Sequence, residues 1–232
     1  MKRLAIIPAR GGSKRIPQKN IRDFCGMPMA VHILKAACES GLFDAIHVST
    51  DCEQIAKVVV DHGFPVDFMR PASLADDMTP IMPVMKFVAE EYKRRGQEFD
   101  QVWLLMACAP LTSTKDLINA EKLFVDAGAK SPLLGVCEYP VPVEWAFKRE
   151  EDGRLLPLQP GMFAVRSQDL EKRYFDAGSF SIFPASIILG SQGAGSDVDY
   201  IGYELSKGTA IDIDDEQDWK LAEAIFRSWN SL

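Results

Sequence analysis

The chain has 232 residues, 47% hydrophobic and 25% charged, which suits a single soluble α/β domain spanning 1–232 with a sizeable core. Its net charge of −7 and pI near 5.1 argue against a nucleic-acid partner, because neutralising a phosphate backbone needs an excess of Lys and Arg. No apolar run approaches the ~20 residues of a membrane span, and five cysteines without CxxC spacing (25, 38, 52, 108 and 137) read as reduced thiols in a cytoplasmic protein.

Along the chain, strands alternate with helices. LAIIPA (4–9) is a short apolar run ending in a glycine turn, the pattern of a buried parallel strand. Residues 28–40 carry apolar groups at helical spacing, with Gly41 as a C-terminal stop. AIHVST (45–50) predicts a strand, CEQIAKVVVDHG (52–63) a helix, VDFM (66–69) a short strand and Pro83–Arg95 a helix. QVWLLMA (101–107) predicts a strand and Thr114–Ala127 a helix capped by Thr114. This rhythm implies parallel pairing with right-handed crossovers and helices on both faces of a Rossmann-like sheet. From 138 to 177 it breaks into a proline-rich excursion, with a hairpin expected at Asp152-Gly153. Strands are expected again at GSFSIF (178–183), DYIGYEL (199–205) and TAIDID (209–214), then a closing helix. Asp214 suits its N-cap, with Gln217 as capping-box partner.

The densest chemistry lies in IIPARGGSKRIPQKN (6–20). A buried strand runs into Arg-Gly-Gly-Ser-Lys at the carboxyl end of the sheet, where ligands of open α/β folds bind. Glycines leave successive N–H groups open as a phosphate nest, and Arg10, Lys14 and Lys19 add positive charge. Neither GxGxxG nor GxxxxGK[ST] is present, and a plain glycine turn with solvated basic residues also fits. Asp212 and Asp214 alternate, so on a strand both leave the same face and suit Mg²⁺. The helix-cap reading of Asp214 remains the alternative.

IPARGGSKRIPQKN closely resembles the signature of the sugar-acid cytidylyltransferases, a nucleotide-diphospho-sugar transferase fold. The likeness continues through VSTD (48–51), RPASLADDMT (70–79), RSQDL (166–170) and IDIDDEQDW (211–219). The resemblance implies that Arg10, Gly11, Gly12, Ser13, Lys14 and Lys19 surround the CTP triphosphate. It puts Asn20, Arg70, Asp77 and Thr79 at the nucleotide, with Arg70 beside the cytosine ring. An ordinary ion pair of Arg70 with Asp76 or Asp77 is the competing reading. It assigns Mg²⁺ to Asp212 and Asp214, and the catalytic part to Arg10, Lys14 and Asp212. At the sugar it puts Met106, Arg166, Gln168 and Ser179, with Arg166 near the acid's carboxylate; a surface loop arginine is its alternative.

LLMACAP (104–110) has Met106 where sialic acid enzymes of this kind carry a glutamine, and this string and RPxxLxDDxT are similar to the pseudaminic acid branch. The implied reaction joins CMP from CTP to a nine-carbon sugar acid, releasing pyrophosphate, with N-acylneuraminate or legionaminate as alternative acceptors. The resemblance also implies a homodimer, in which the 138–177 arm reaches over the neighbour's sugar site. Two rivals are a sugar 1-phosphate nucleotidylyltransferase and a non-catalytic nucleotide-binding regulator. His32, His47 and His62 show no ligand spacing and receive no role.

Overall fold

A computed structural model describes residues 1–193 and 199–229. Strand β1 (Arg3–Pro8) feeds the glycine turn and a 3-10 turn at Lys19–Ile21. A short ribbon of β2 (Asp23–Phe24) and β3 (Met27–Pro28) then leads into α1 (Met29–Ser40), which ends at Gly41 in the left-handed conformation, φ 64°. β4 (Ala45–Ser49), α2 (Glu53–Asp61), α3 (Ile81–Arg94), β5 (Gln101–Leu105) and α4 (Thr114–Asp126) follow. Then come β6 (Leu133–Glu138), the hairpin β7 (Phe147–Arg149) and β8 (Leu155–Pro157), and the long β9 (Tyr174–Pro184). α5 (Ala185–Gly190), β10 (Ile201–Glu204) and α6 (Glu216–Trp229) complete the chain.

The main sheet runs β10-β6-β9-β5-β1-β4. β1 pairs parallel with β4 and β5, and β10 pairs parallel with β6. The side chains of β1 alternate between two cores, as the period of a strand requires. Ala5 and Ile7 pack with α1, α2 and α4, while Leu4 and Ile6 pack with α3 and α5, so helices cover both faces. A third cluster around Phe24, Ile213 and Trp219 fastens α6 to the segment after β1, bringing the two ends of the chain to one edge of the site.

Several sequence expectations are corrected. β9 is antiparallel to both β5 and β6, because the excursion before it returns the chain to the sheet in the opposite direction. β6 was not anticipated, although its alternating burial marks it as a strand. Residues 66–69 join no sheet; side chains hold them, with Phe68 stacked on His47 and Asp67 accepting from the Tyr92 hydroxyl. Residues 209–214 also lack a strand partner, but Ile213 is buried between the outward Asp212 and Asp214. Ser113, not Thr114, caps α4, in a capping box with Asp116. The cap of α6 shifts the other way, to one residue later than expected. Asp215 accepts from the N–H groups of Gln217 and Asp218, and Asp218 accepts from those of Asp214 and Asp215.

Candidate functional site

The loops after β1 and β5 and the segments after β4 enclose a cleft of about 320 Å³, at the carboxyl ends of parallel strands. Most of the residues expected at the nucleotide line it: Arg10, Ser13, Lys14, Lys19, Asn20, Arg70, Asp77 and Thr79. They come from segments up to 69 residues apart, joined because β1 and β4 are neighbours in the sheet. Asn20 is buried and donates to the Arg10 carbonyl at 3.0 Å, which ties the end of the turn to its beginning. Lys19 donates to the Ile213 carbonyl at 2.7 Å and lies 4.0 Å from Asp214. Arg15 donates to the same Asp214 carboxylate at 2.7 Å.

The turn itself differs from a fully open nest. Gly11 N–H donates to Asp51 Oδ1 at 3.1 Å, so this amide is engaged, and Ser13 N–H donates to the Gly11 carbonyl. Gly12 faces open space, whereas a Cβ on Gly11 would sit 2.9 Å from Cys52 Cβ. Gly11 is therefore required by the close approach of the 49–52 segment, and Gly12 keeps one side of the turn clear for a ligand.

Arg70 is 6% exposed and makes no ion pair among the described residues. The competing ion-pair reading fails because its two partners are occupied. Asp77 is held by Arg10 at 2.7 Å and by Lys14, while Asp76 accepts from the backbone and hydroxyl of Thr79. Arg70 Nε instead donates to Ser49 Oγ at 3.1 Å and Nη2 to the Ser49 carbonyl at 2.6 Å. Burial lowers the guanidinium's hold on its proton, and the nearby Asp51 opposes that effect. A buried cation facing a cleft without a carboxylate partner calls for an electron-rich ligand.

Asp214 lines the cleft and Asp212 stands beside it, 3.4 Å from where a Cβ on Gly178 would lie. Burial, then the charge of Asp214, pushes the Asp212 carboxyl up, and Lys19 and Arg15 pull it down. With Asp215 capping α6, neither carboxylate has a helix-capping duty. No cluster of three or more metal-ligating side chains occurs among the described residues. Two oxygen donors of like charge fit a Mg²⁺ that takes the rest of its shell from water and phosphate oxygens.

On the sugar side only Met106 lines the cleft, followed by Ala107 and Cys108. Burial raises the Cys108 thiol, against the pull of Lys19. Ser179 accepts Met106 N–H through its carbonyl, but its hydroxyl is buried toward Gly135 and has no partner among the described residues. Its side chain is thus kept out of the cleft, against expectation. Arg166 and Gln168 lie on the arm and do not line the cleft of their own chain; Arg166 is paired with Asp169 at 2.8 Å. Ser49 and Asp51 both lie within the VSTD string, but neither is singled out by sequence because neither carries a conspicuous ligand chemistry alone.

A family model described as cytidylyltransferase matches residues 4–103. Pseudaminic acid cytidylyltransferase of Campylobacter jejuni is 34% identical, over 98% of this chain and 97% of that one. The CMP-N,N'-diacetyllegionaminic acid synthase of Legionella pneumophila is 31% identical, over 97% and 96%. Among solved structures, a CMP:2-keto-3-deoxy-manno-octonic acid synthetase complexed with CTP shares the fold, with a TM-score of 0.72 over 99% of this chain and all of that one, at 16% identity. On its resemblance to full-length relatives and on the sheet and turn that carry it, the chain belongs to the cytidylyltransferase family.

Proposed function

We propose that this chain transfers CMP from CTP to the anomeric hydroxyl of a nine-carbon 2-keto sugar acid of the pseudaminic type, releasing pyrophosphate. The observation that carries this reading is the cleft at the ends of β1 and β5, where Arg10, Lys14, Lys19 and the buried Arg70 converge in an otherwise acidic protein. The hydroxyl oxygen gives up its proton to solvent and attacks the α-phosphorus, while the bond to the β-phosphate oxygen breaks and its electron pair leaves with pyrophosphate. Arg10 and Lys14 stabilise the charge that grows on the phosphate oxygens. Arg70 donates to the cytosine carbonyl. Asp212 and Asp214 hold Mg²⁺, which supplies charge neutralisation at the phosphates when bound.

The relatives' names support a sugar-acid acceptor. Met106 supports the less hydroxylated one, since a thioether offers no strong hydrogen bond to the C7 and C9 hydroxyls of N-acetylneuraminic acid. Each hydroxyl left unpaired costs about 1–3 kcal/mol. A homodimer is part of the proposal. Phe163 of the arm packs edge-on against Trp145 and Phe147, yet it and Leu158 stay 64% and 63% exposed, and Val141 and Leu155 on the same arm are exposed as well. A second protomer facing the arm brings Arg166 and Gln168 to a sugar site that lacks them. Pyrophosphate release from CTP with pseudaminic, legionaminic and N-acetylneuraminic acids tests the reading. Pseudaminic acid should turn over fastest. Equal or faster turnover of N-acetylneuraminic acid moves the assignment to that acceptor, and no release with any of the three leaves a nucleotide-binding regulator.

A further inference from the structure

We infer that Ser49 determines the base selectivity of the nucleotide site by fixing the direction of the Arg70 guanidinium. The inference rests on the proposed use of CTP and adds a residue that does not touch the nucleotide. Ser49 ends β4 and is fully buried. Its hydroxyl and its carbonyl accept from Nε and Nη2 of Arg70, so one residue occupies one whole edge of the guanidinium.

A guanidinium carries five N–H donors in a rigid plane. With the Nε/Nη2 edge held by Ser49, the adjoining Nη1/Nη2 edge is left as a fork of two parallel donors. Arg70 N–H also donates to the Thr50 carbonyl at 2.7 Å, which anchors the backbone from which the side chain extends. The plane of the fork is therefore set by the end of a sheet strand rather than by a mobile loop. The Ser49 hydroxyl has no other partner among the described residues.

Such a fork distinguishes bases. Cytosine presents two adjacent acceptors, its carbonyl oxygen and its unprotonated ring nitrogen, and both match the two donors. Uracil presents the same carbonyl but a protonated nitrogen, which sets donor against donor. Rejecting a base this way leaves buried polar groups unpaired, the situation in which polar sites discriminate most strongly. Without the Ser49 hydroxyl the guanidinium keeps its charge but can pivot about its carbonyl bond, and a pivoted Arg70 still reaches the carbonyl common to both bases. Selectivity then falls more than catalysis does.

The test is calorimetric binding of CTP and UTP to the whole chain, with turnover of each nucleotide measured alongside. Wild type should prefer CTP, and Ser49→Ala should cut the CTP:UTP affinity ratio roughly 10-fold while kcat with CTP stays within about 3-fold. In an Arg70→Ala background the Ser49 substitution should change the ratio no further, because Ser49 acts through Arg70. Should Ser49→Ala not fold, Ser49→Cys keeps the volume, replaces the oxygen by a poor acceptor and should give the same loss of preference. A ratio unchanged in the Ser49 variant, or lowered by the same factor without Arg70, overturns the inference alone. A wild-type chain that binds neither nucleotide removes it together with the proposed function.

Discussion

Arg10 donates to Asp77 Oδ1 at 2.7 Å, and Lys14 holds the other oxygen of the same carboxylate. Two cations proposed to meet the triphosphate are therefore already paired with an anion from the 72–79 loop. Hydrogen bonds from Lys14, then Arg10, keep the Asp77 carboxyl below the ordinary carboxylate range, so it competes as a full charge at neutral pH.

Asp77→Asn should tighten CTP binding roughly 3-fold at low salt, with the gain shrinking as salt screens the exposed pairs. Lys14→Ala should instead lower kcat/KM for CTP by ~10²-fold with the melting temperature unchanged. Titration calorimetry and steady-state rates read both. Weaker CTP binding by Asp77→Asn would show that Asp77 contacts the nucleotide favourably rather than competing with it. Normal turnover by Lys14→Ala would remove Lys14 from the mechanism.

The metal and capping duties fall on different residues, so they separate by mutation. Asp215→Ala should lower the melting temperature, as loss of an N-cap does, and leave turnover near normal. Asp212→Asn should abolish activity or sharply raise the Mg²⁺ requirement, and Asp214→Asn should do the same with little effect on melting. Paired melting curves and Mg²⁺ titrations decide it. A normal Mg²⁺ dependence in both asparagine variants would rule out the metal assignment.

The arm predicts its own assembly. Sedimentation at micromolar concentration should give twice the 25.8 kDa chain mass, and the double change Leu158→Glu with Phe163→Glu should yield monomers. If the partner's arm completes the sugar site, those monomers still bind CTP but lose most turnover of the sugar acid. Full turnover by a monomer would leave the arm without a part in catalysis.

His47 should set an acid limit on stability. It is fully buried against Phe68, with neither ring nitrogen bonded among the described residues, and burial lowers its pKa to about 4. The unfolded chain takes up that proton near the ordinary value of ~6.5. Between about 6.5 and 4 the unfolded state thus binds more protons, and stability falls as pH falls, by up to about 3 kcal/mol. Above 6.5 the group has no such effect. His47→Phe should flatten this limb in denaturant melts taken across the window. His32, lowered by burial as well, leaves part of the slope in place. An unchanged limb would show that His47 is not the group responsible.

The basic glycine turn that lines the cleft was legible because its pattern is local: Arg10 to Lys14 are consecutive, and a strand before them fixes where they point. Helices and most parallel strands were legible for the same reason, since burial period is written residue by residue. The direction of β9 was not, because an apolar strand reads the same either way and only the return path of the arm decides it. TAIDID has the alternation of a strand, but a strand also needs a neighbouring edge, and here Ile213 finds a helix cluster instead. Likewise, two candidate caps one residue apart are equivalent in sequence, and hydrogen bonding selected Asp215 over Asp214. The tie between Ser49 and Arg70, 21 residues apart, exists only because the chain folds back at the end of β4. Residue types along the chain determined which chemistry was available. Long-range contact decided which donors are free, which are already paired, and that Arg166 lies outside the cleft of its own chain.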